Sequence, residues 1–352
     1  MANSDEEIFR KLLKSTENEF ASVAADGVDA DISGWIDTGS YALNALLSGS
    51  IYKGMPNSRV TALSGEYSTG KTFFAISIMK QFLIDNPKGY AYYFDTETAV
   101  SKEMLEFRGL DSKRVAIIPI GSVEEVRTQA VRILDGYNAI KKPDKAKMMI
   151  ILDSMGNLST EKEIVDISTG NDKRDMTRAA LLKGMFRVLT LKLGVAQCPM
   201  IITNHVYEQV GAKYPTKVQS GGSGLNYAAS TIVFLSKRVE RDKDKNAIGS
   251  VVTATLKKAR LTVENRRIET LLNYRFGLCR YYGLLPLAEK FGIVKKGEKQ
   301  YEWPNGKKAY ESVIDKNPEN FFTKEILDQI DAGCKEEFLY GTTNLTDVEE
   351  TK

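Results

Sequence analysis

The chain has 352 residues, enough for one large α/β core with smaller appendages or for two domains. Apolar residues make up 42% and charged residues 27%, as in an ordinary soluble globular protein. No apolar run approaches the roughly 20 residues that a membrane-spanning helix needs. The net charge of +3 neither requires nor excludes nucleic acid, so evidence for DNA binding must come from local features.

The N-terminus and the cysteines bear on the cellular compartment. Residues 1–7 are polar and acidic, which is not the pattern of a secretory signal. Cys198, Cys279 and Cys334 are far apart and odd in number, so they fit neither a disulfide framework nor a CxxC metal site. We therefore predict reduced thiols and a cytosolic protein.

Hydrophobic periodicity indicates where helices and strands lie. Near the N-terminus an amphipathic helix is predicted from the helical spacing of Ile8, Phe9, Leu12, Leu13 and Phe20. The small and acidic residues 21–31 that follow have the character of a linker. Beyond it, strand-like runs occur at residues 59–64, 90–95, 115–119, 148–153, 199–203, 231–236, 251–256 and 267–274. Helical patterns occur at residues 72–83, 123–140 and 176–193.

The order of these elements predicts the fold class. Several strand-like runs are apolar throughout, which is typical of strands buried on both faces of a parallel sheet. Their alternation with helices predicts an α/β fold with a mostly parallel central sheet covered by helices. The last two runs have no long helix between them, which predicts an antiparallel edge. From residue 284 the sequence is more polar, which indicates a small C-terminal subdomain.

A phosphate-binding loop follows the first strand-like run. The pattern GxxxxGK[ST] is matched by Gly65, Glu66, Tyr67, Ser68, Thr69, Gly70, Lys71 and Thr72. The loop lies between a strand and a helix, where backbone N–H groups and the helix N-terminus surround phosphates. In such loops the lysine reaches the β- and γ-phosphates and the hydroxyl binds Mg²⁺, roles that fall to Lys71 and Thr72. The alternative is a glycine-rich turn without a ligand.

Two carboxylates follow other predicted strands. Asp153 ends the run 148–153, the position of the residue that anchors Mg²⁺ beside a phosphate-binding loop. Glu97 follows the run 90–95 and is a candidate for the base that orients and deprotonates an attacking water. The alternatives are that Asp153 caps the next loop and that Glu97 caps a helix.

His205 is the single histidine of the chain and comes just after the run 199–203. A lone histidine is more often structural than catalytic. Its place at the end of a core strand is also where the ligands of open α/β sheets bind, so both interpretations stay open.

Together these motifs resemble the RecA-type recombinases, and in particular the UvsX branch carried by T4-like bacteriophages. The resemblance extends from residue 35 to residue 332. Residues 64–72 match the Walker A loop, residues 94–97 the strand with the catalytic glutamate, and residues 152–158 Walker B. The resemblance implies that Glu97 is the catalytic base, that ATP and Mg²⁺ are the cofactors, and that His205 replaces the glutamine that senses the γ-phosphate in bacterial RecA.

The resemblance also implies contacts with DNA. Residues 175–178 resemble the start of the helix that follows the first DNA-binding loop in the phage branch. Residues 207–224 resemble the second DNA-binding loop. The residues predicted to contact DNA are Arg178, Tyr207, Lys213, Lys217, Ser220, Gly221, Gly222 and Ser223. From the residues alone, a flexible surface loop is the alternative for the second segment.

Two further family features concern the nucleotide. Lys258 and Arg260 occupy the place of two cations that reach the ATP site of the neighbouring subunit and stabilise transition-state charge. A solvated basic strand end is the alternative interpretation. Ser101 and Met104 depart from the pattern, because bacterial RecA has an acidic and an aromatic residue there, near the adenine.

The sequence therefore predicts a RecA-like fold with four parts. These are an N-terminal helix and linker in contact with the next protomer (1–34), the ATPase core (35–283), a small C-terminal subdomain (284–340) and a tail (341–352). The expected location is the cytoplasm, that of the host cell for a phage protein, without membrane contact.

The predicted function is a DNA-dependent ATPase that forms helical filaments on single-stranded DNA and promotes strand exchange with double-stranded DNA. A recombination mediator and a single-strand-binding protein are the expected protein partners. The alternatives are a RecA-like mediator that binds nucleotide without hydrolysing it and a hexameric helicase motor on the same core.

Overall fold

A computed structural model describes residues 2–17, 22–26, 32–142, 145–170, 177–208, 217–242 and 244–340. Its strands are β1 (Trp35–Ile36), β2 (Met55–Pro56), β3 (Val60–Gly65), β4 (Tyr90–Asp95), β5 (Val115–Pro119), β6 (Met148–Asp153), β7 (Met200–Glu208), β8 (Lys217–Gln219), β9 (Thr231–Arg241), β10 (Ala247–Ala259), β11 (Arg267–Asn273), β12 (Gly277–Leu278), β13 (Lys295–Lys296), β14 (Tyr301–Glu302) and β15 (Lys308–Ala309). Its α-helices are α1 (Ala2–Lys14), α2 (Tyr41–Ser48), α3 (Lys71–Asp85), α4 (Lys102–Phe107), α5 (Val123–Ala139), α6 (Glu161–Ser168), α7 (Arg178–Ala196), α8 (Gly224–Ala228), α9 (Leu284–Lys290), α10 (Glu311–Lys316) and α11 (Lys324–Phe338).

One large sheet organises the described residues. Its strand order is β12-β11-β10-β9-β3-β7-β6-β4-β5, and β8 pairs with the end of β7. The strands from β9 to β5 in this order are parallel to one another. On the other side of β9, the strands β10, β11 and β12 are antiparallel. The predicted mixed sheet, mostly parallel with an antiparallel edge, is confirmed.

Both faces of the sheet are covered by helices. On β3, β6 and β7, the side chains of Leu63, Ile151 and Ile201 belong to a buried cluster that includes residues of α2, α3, α9 and α11. Their neighbours along the strands belong to a second cluster with residues of α5, α7 and α8. Because successive side chains of a strand point to opposite faces, strands covered on both sides need continuous apolar runs. This arrangement explains the runs recognised in the sequence.

Several elements differ from the prediction in their bounds, among them β10, predicted at residues 251–256 and observed from Ala247 to Ala259. The strand predicted at residues 199–203 continues as β7 to Glu208, because its last residues pair with β8. The strand predicted at residues 231–236 continues as β9 to Arg241 and forms a long hairpin with β10. The polar and charged residues in these extensions carry little strand signal of their own. The helix predicted from residue 176 begins at Arg178, after residues 171–176, which lie outside the described part.

The N-terminal helix is present as α1 and lies on the surface. Its apolar residues Ile8, Phe9 and Leu12 are each more than half exposed. Phe20 and most of the predicted linker lie outside the described residues. No helix in the described ranges is both long and apolar enough to cross a membrane.

The C-terminal segment packs on the same core. Its strands β13, β14 and β15 form a small sheet of their own, and Trp303 packs against Phe321 and Phe322. The buried carboxylate of Asp331 on α11 accepts hydrogen bonds from Ser50 Oγ at 2.6 Å and from the backbone N–H of Ile51 at 2.9 Å. The predicted boundaries at residues 34 and 283 stay predictions, and the tail 341–352 lies outside the described residues.

Candidate active site

The loop from Gly65 to Thr72 connects the buried strand β3 to α3 and needs glycine at two positions. A Cβ atom on Gly65 would lie 2.6 Å from Thr69 Oγ1 and 2.9 Å from the carbonyl oxygen of Leu235, too close for any side chain. Gly70 has φ of +90°, a conformation that L-residues rarely adopt. The loop therefore folds back tightly and ends at the N-terminus of α3, whose first N–H groups have no partner within the helix.

Lys71 and Thr72 begin α3 beside this loop. The Lys71 ammonium is almost fully buried and donates hydrogen bonds to the carbonyl oxygens of Gly65 at 3.1 Å and Glu66 at 2.9 Å. Burial lowers the pKa of this ammonium from its ordinary value. Thr72 is half-buried at the helix start. A buried cation, a hydroxyl and the N–H groups of a helix N-terminus form a donor set that fits a phosphate group and its metal ion.

Asp153 ends β6 and is held in place by two hydroxyl groups. Tyr93 Oη donates to Asp153 Oδ2 at 2.5 Å, and Thr203 Oγ1 donates to Asp153 Oδ1. All three side chains are buried. Burial, followed by the nearby Asp153, raises the pKa of Tyr93 well above its ordinary value, so Tyr93 remains a hydrogen-bond donor. The carboxylate is thus held at the C-terminal ends of the central strands, next to the point where β3 ends and the phosphate loop begins.

Glu97 lies on the turn after β4, and its carboxylate is anchored through one oxygen. Glu97 Oε1 accepts a hydrogen bond from Asn157 Nδ2 at 2.7 Å and a longer one from Ser154 Oγ at 3.3 Å. His205 Nε2 lies 3.8 Å from the same oxygen. The turn is shaped by the buried Asp95, which accepts a hydrogen bond from the backbone N–H of Glu97 at 3.0 Å.

His205 lies on β7, directly beside Gly65 of β3 in the parallel register. A Cβ atom on Gly156 would lie 2.9 Å from His205 Cδ2, so this glycine allows the imidazole to sit against the turn after β6. Burial, followed by the charge of Lys71, lowers the pKa of His205 below its ordinary value of 6.5. The imidazole is therefore neutral at pH 7 and can donate one hydrogen bond and accept another.

The titration of His205 is a direct test of this geometry. Because the chain has a single histidine, NMR of the imidazole reports on one residue alone. We expect a midpoint below 6.5, since both burial and Lys71 disfavour the imidazolium. Replacing Lys71 with alanine removes one of these causes and should raise the midpoint. A midpoint at or above 6.5 in the unchanged chain would contradict the packing of His205 against the phosphate loop.

The segment predicted as the second DNA-binding loop is partly a β-hairpin. Tyr207 lies on β7 and pairs with Val218 of β8, so the strand continues past His205 into the hairpin. Gln219 Nε2 donates to Ser64 Oγ at 2.7 Å, which ties the returning strand to the residue before the phosphate loop. Lys213 and the side chain of Lys217 lie outside the described residues.

The glycine-rich run after β8 packs against α7 and the turn after β6. Asn204 Nδ2 donates to the carbonyl oxygen of Ser220 at 3.0 Å. Gly221 and Gly222 have φ of +84° and +71°, and a Cβ atom on Gly221 would lie 2.7 Å from Met155 Cε. Ser223 precedes α8. The glycines therefore have a packing role, and their contact with DNA stays a prediction.

Arg178, at the start of α7, contacts the protein backbone. One of its guanidinium nitrogens, Nη2, donates to the carbonyl oxygens of Met155 at 3.1 Å and Gly156 at 2.7 Å. The side chain is half-buried. A role of Arg178 in DNA binding stays a prediction, and its backbone contacts join α7 to the turn that also approaches Glu97 and His205.

Lys258 and Arg260 lie at the opposite end of the sheet from the phosphate loop of their own chain. The backbone N–H of Arg260 donates to the carbonyl oxygen of Ser230, whose N–H in turn donates to Val60 at the start of β3. The phosphate loop begins at Gly65, five residues after Val60. At the rise of a β-strand, Val60 and Gly65 are about 16 Å apart. Arg260 also lines a pocket of about 260 Å³ that is surrounded, among the described residues, by four cations and no carboxylate.

A family model described as the RecA N-terminal domain matches residues 10–279, most of the chain. The chain belongs to the RecA family. The recognition of RecA-type motifs in the sequence and the predicted fold class are thereby confirmed.

Individual RecA-family relatives are moderately similar. The recombination and repair protein of Enterobacteria phage T4 is 30% identical over 254 residues, which are 72% of this chain and 63% of the T4 protein. The chain thus spans less than two thirds of that relative. Protein RecA of Wolbachia sp. subsp. Brugia malayi is 23% identical over 321 residues, 90% of this chain and 85% of that protein. Protein RecA of Desulforapulum autotrophicum is 26% identical over 304 residues, with shares of 86% and 82%.

Several residues of this RecA-family site were not recognised in the sequence. Tyr93 and Thr203 hold Asp153, Asn157 holds Glu97, and Gln219 contacts Ser64. The sequence contains one indication of the role of Tyr93, because a tyrosine inside a buried strand needs a hydrogen-bond partner for its hydroxyl. Asn157 and Gln219 are polar residues after or between strands, where many side chains merely face solvent, and no spacing rule singles them out.

Proposed function

We propose that this RecA-family chain is an ATP-dependent DNA recombinase. It assembles as a helical filament on single-stranded DNA and promotes homologous pairing and strand exchange with double-stranded DNA in recombination, repair and recombination-dependent replication. The observation that carries the proposal is that Lys71, Asp153, Glu97 and His205 meet at one edge of the sheet. The strand that carries His205 continues into the segment predicted to bind DNA.

The residues at the sheet edge have distinct roles in ATP hydrolysis. Residues 65–72 bind the phosphates, and Lys71 turns from the loop carbonyls to the β- and γ-phosphates. Thr72 and Asp153 would hold Mg²⁺, which neutralises charge on these phosphates when it is bound. Glu97 orients the attacking water and takes its proton, a contribution worth about 10²- to 10⁴-fold in rate.

His205 connects the hydrolytic site to DNA. Its neutral imidazole lies beside Gly65 and close to Glu97, within reach of the phosphate end of a nucleotide bound in the loop. The backbone of His205 also accepts a hydrogen bond from the N–H of Ser220 at 2.9 Å, in the returning part of the hairpin. A change in the hydrogen bonding of the imidazole therefore moves both strands of the hairpin base, which couples nucleotide state to DNA affinity.

The complete site requires two subunits. Because Arg260 lies at the far end of β3 from Gly65, it serves the loop of a neighbouring protomer rather than its own. Burial, followed by the charge of Arg260, lowers the pKa of Lys258. The cations that line the pocket, with no carboxylate among its described lining residues, favour an anionic group, such as the terminal phosphate of a nucleotide bound by the next subunit.

The remaining surfaces suit a filament subunit. The exposed apolar residues of α1 give it a face for the neighbouring protomer, since apolar side chains on one side of a surface helix gain free energy by burial. We also propose a recombination mediator and a single-strand-binding protein as partners and the cytoplasm as the location, in line with the recombination function.

The proposed function is tested by ATP turnover with and without single-stranded DNA. We expect DNA to stimulate turnover, because filament assembly brings Arg260 to the neighbouring site. Negative-stain images with DNA and a slow-hydrolysing ATP analogue should contain helical filaments. Closed rings would support a helicase motor, and turnover that does not respond to DNA would overturn the proposed recombinase.

A further inference from the structure

The short turn after β6, residues 154–157, contacts Glu97, His205 and both segments predicted to bind DNA. Ser154 and Asn157 donate hydrogen bonds to Glu97. Gly156 lies against His205, so closely that a Cβ atom would be 2.9 Å from the imidazole. On its other side the turn meets the two segments predicted to contact DNA. Arg178 Nη2 binds two of its carbonyl oxygens, and Met155 packs against the glycine-rich run after β8.

Asn157 is the residue of this turn with the strongest contact to the carboxylate. Its amide lies 2.7 Å from Glu97 Oε1, against 3.3 Å for the Ser154 hydroxyl. The Asn157 side chain is exposed, so it contributes nothing to the hydrophobic core. The two residues are 60 positions apart in the chain, and the contact joins the turns after β6 and β4.

The geometry of this contact suits the orientation of a base. A carboxylate that is free to rotate about its terminal bond presents either oxygen in many directions. Donors that converge on Oε1 restrict the rotation of the group, so the other oxygen, Oε2, can be held toward an attacking water. Misplacement of a catalytic group by about 1 Å can cost about 10²-fold in rate, so an anchor of this kind has a measurable effect.

We propose that Asn157 is a positioning residue for Glu97 and that the turn 154–157 carries the effect of DNA binding to this carboxylate. The inference rests on the proposed role of Glu97 as the base. DNA contact at the start of α7 or in the glycine-rich run shifts the turn through Arg178 and Met155. Because Asn157 is already bonded to Glu97, a shift of the turn changes the orientation of this carboxylate. This route uses the amide of Asn157 rather than the imidazole of His205.

The first test is replacement of Asn157 with alanine. We expect the DNA-stimulated kcat to fall about tenfold or more, while the KM for ATP and the affinity for single-stranded DNA change less than about twofold. DNA-free turnover should fall less, so the ratio of stimulated to DNA-free turnover decreases. Asn320→Ala, which removes an exposed asparagine from the C-terminal segment, is the matched control. An unchanged kcat, or an equal loss with and without DNA, overturns the proposal.

The second test is the isosteric change Asn157→Asp, followed through the pH dependence of kcat. Among the described residues, His205, Lys71 and Tyr93 interact with the charge of Glu97, and the carboxylates of Asp95 and Asp153 lie beside the same groups. A second carboxylate in contact with Glu97 favours a shared proton, so the rate should rise with pH over a range where the unchanged enzyme is flat. If Asn157→Asp only disturbs local folding, kcat should fall by the same factor at every pH. That result would overturn the positioning role of Asn157.

A third variant separates this inference from the proposed function. Glu97→Gln removes the base itself. If Glu97→Gln retains turnover, the assignment of the base fails and the proposed mechanism fails with it. If Glu97→Gln is inactive and both Asn157 variants behave as the unchanged chain does, the positioning role alone is wrong.

Discussion

Replacing Arg260 with alanine is expected to lower DNA-stimulated ATP turnover by about 10³-fold, the effect of losing an arginine that stabilises transition-state charge. ATP binding by the unassembled subunit should not change. The reason is geometric. Arg260 is hydrogen-bonded through Ser230 to the start of β3, whereas the phosphate loop begins at the other end of β3, so Arg260 does not reach the loop of its own subunit. Steady-state turnover and the binding of a fluorescent ATP analogue at a subunit concentration below assembly measure the two quantities.

Mixed filaments test whether Arg260 acts between subunits. A Lys71→Ala subunit lacks a working loop but keeps Arg260, and an Arg260→Ala subunit has the opposite defect. In a random one-to-one mixture about a quarter of the head-to-tail joints combine an intact loop with an intact arginine, so turnover should partly recover. A partner that carries both substitutions should give no recovery. If the single variants do not restore turnover to each other, action between subunits is wrong.

Replacing Glu97 with glutamine is expected to reduce turnover by about 10²- to 10⁴-fold while ATP binding and filament assembly remain. Glutamine has the shape of glutamate and keeps a carbonyl oxygen that can accept the hydrogen bond from Asn157, but it cannot take a proton from water. The rate of phosphate release with saturating DNA measures the effect. The loss should appear in kcat, because the substitution leaves the phosphate loop intact.

The control for this variant is Glu298→Gln, which makes the same chemical change at an exposed position of the C-terminal segment. It should leave turnover unchanged. If Glu97→Gln and Glu298→Gln both retain full activity, another group must activate the water. If the unchanged chain has negligible turnover, a nucleotide-binding mediator replaces the proposed recombinase.

Much of the central sheet was predictable because its strands are buried on both faces. The strands β4 and β6, which are buried along most or all of their length, begin and end where their apolar runs do, and so does the partly exposed edge strand β5. The tight turn formed by residues 65–72 was predictable for a related reason, since close packing around Gly65 and the positive φ of Gly70 admit only glycine. In both cases the burial or backbone conformation restricts residues that are neighbours in the chain. A short stretch of sequence is therefore enough to recognise the element.

Other features depended on partners far away in the chain. The extension of β7 through Tyr207 is stabilised by β8, and that of β9 through Arg241 by β10, although most of the added residues are polar or charged. Pairing with another strand supplies backbone hydrogen bonds to any residue type, so such extensions have no periodic signal. Arg178 was predicted to contact DNA from its place in the chain, and only the structure reveals its contacts with backbone carbonyls of the turn after β6.

By itself the sequence determined the family, and it identified the glycine-rich loop 65–72 and the candidate acid and base groups, because each depends on a local pattern of residue types. Only the tertiary structure decided how those groups are held. Asn157 reaches Glu97 across 60 residues of chain, and Arg260 lies a full strand length from its own phosphate loop. Contacts and distances of this kind follow from the order of strands in the sheet, which brings together residues that no local spacing relates.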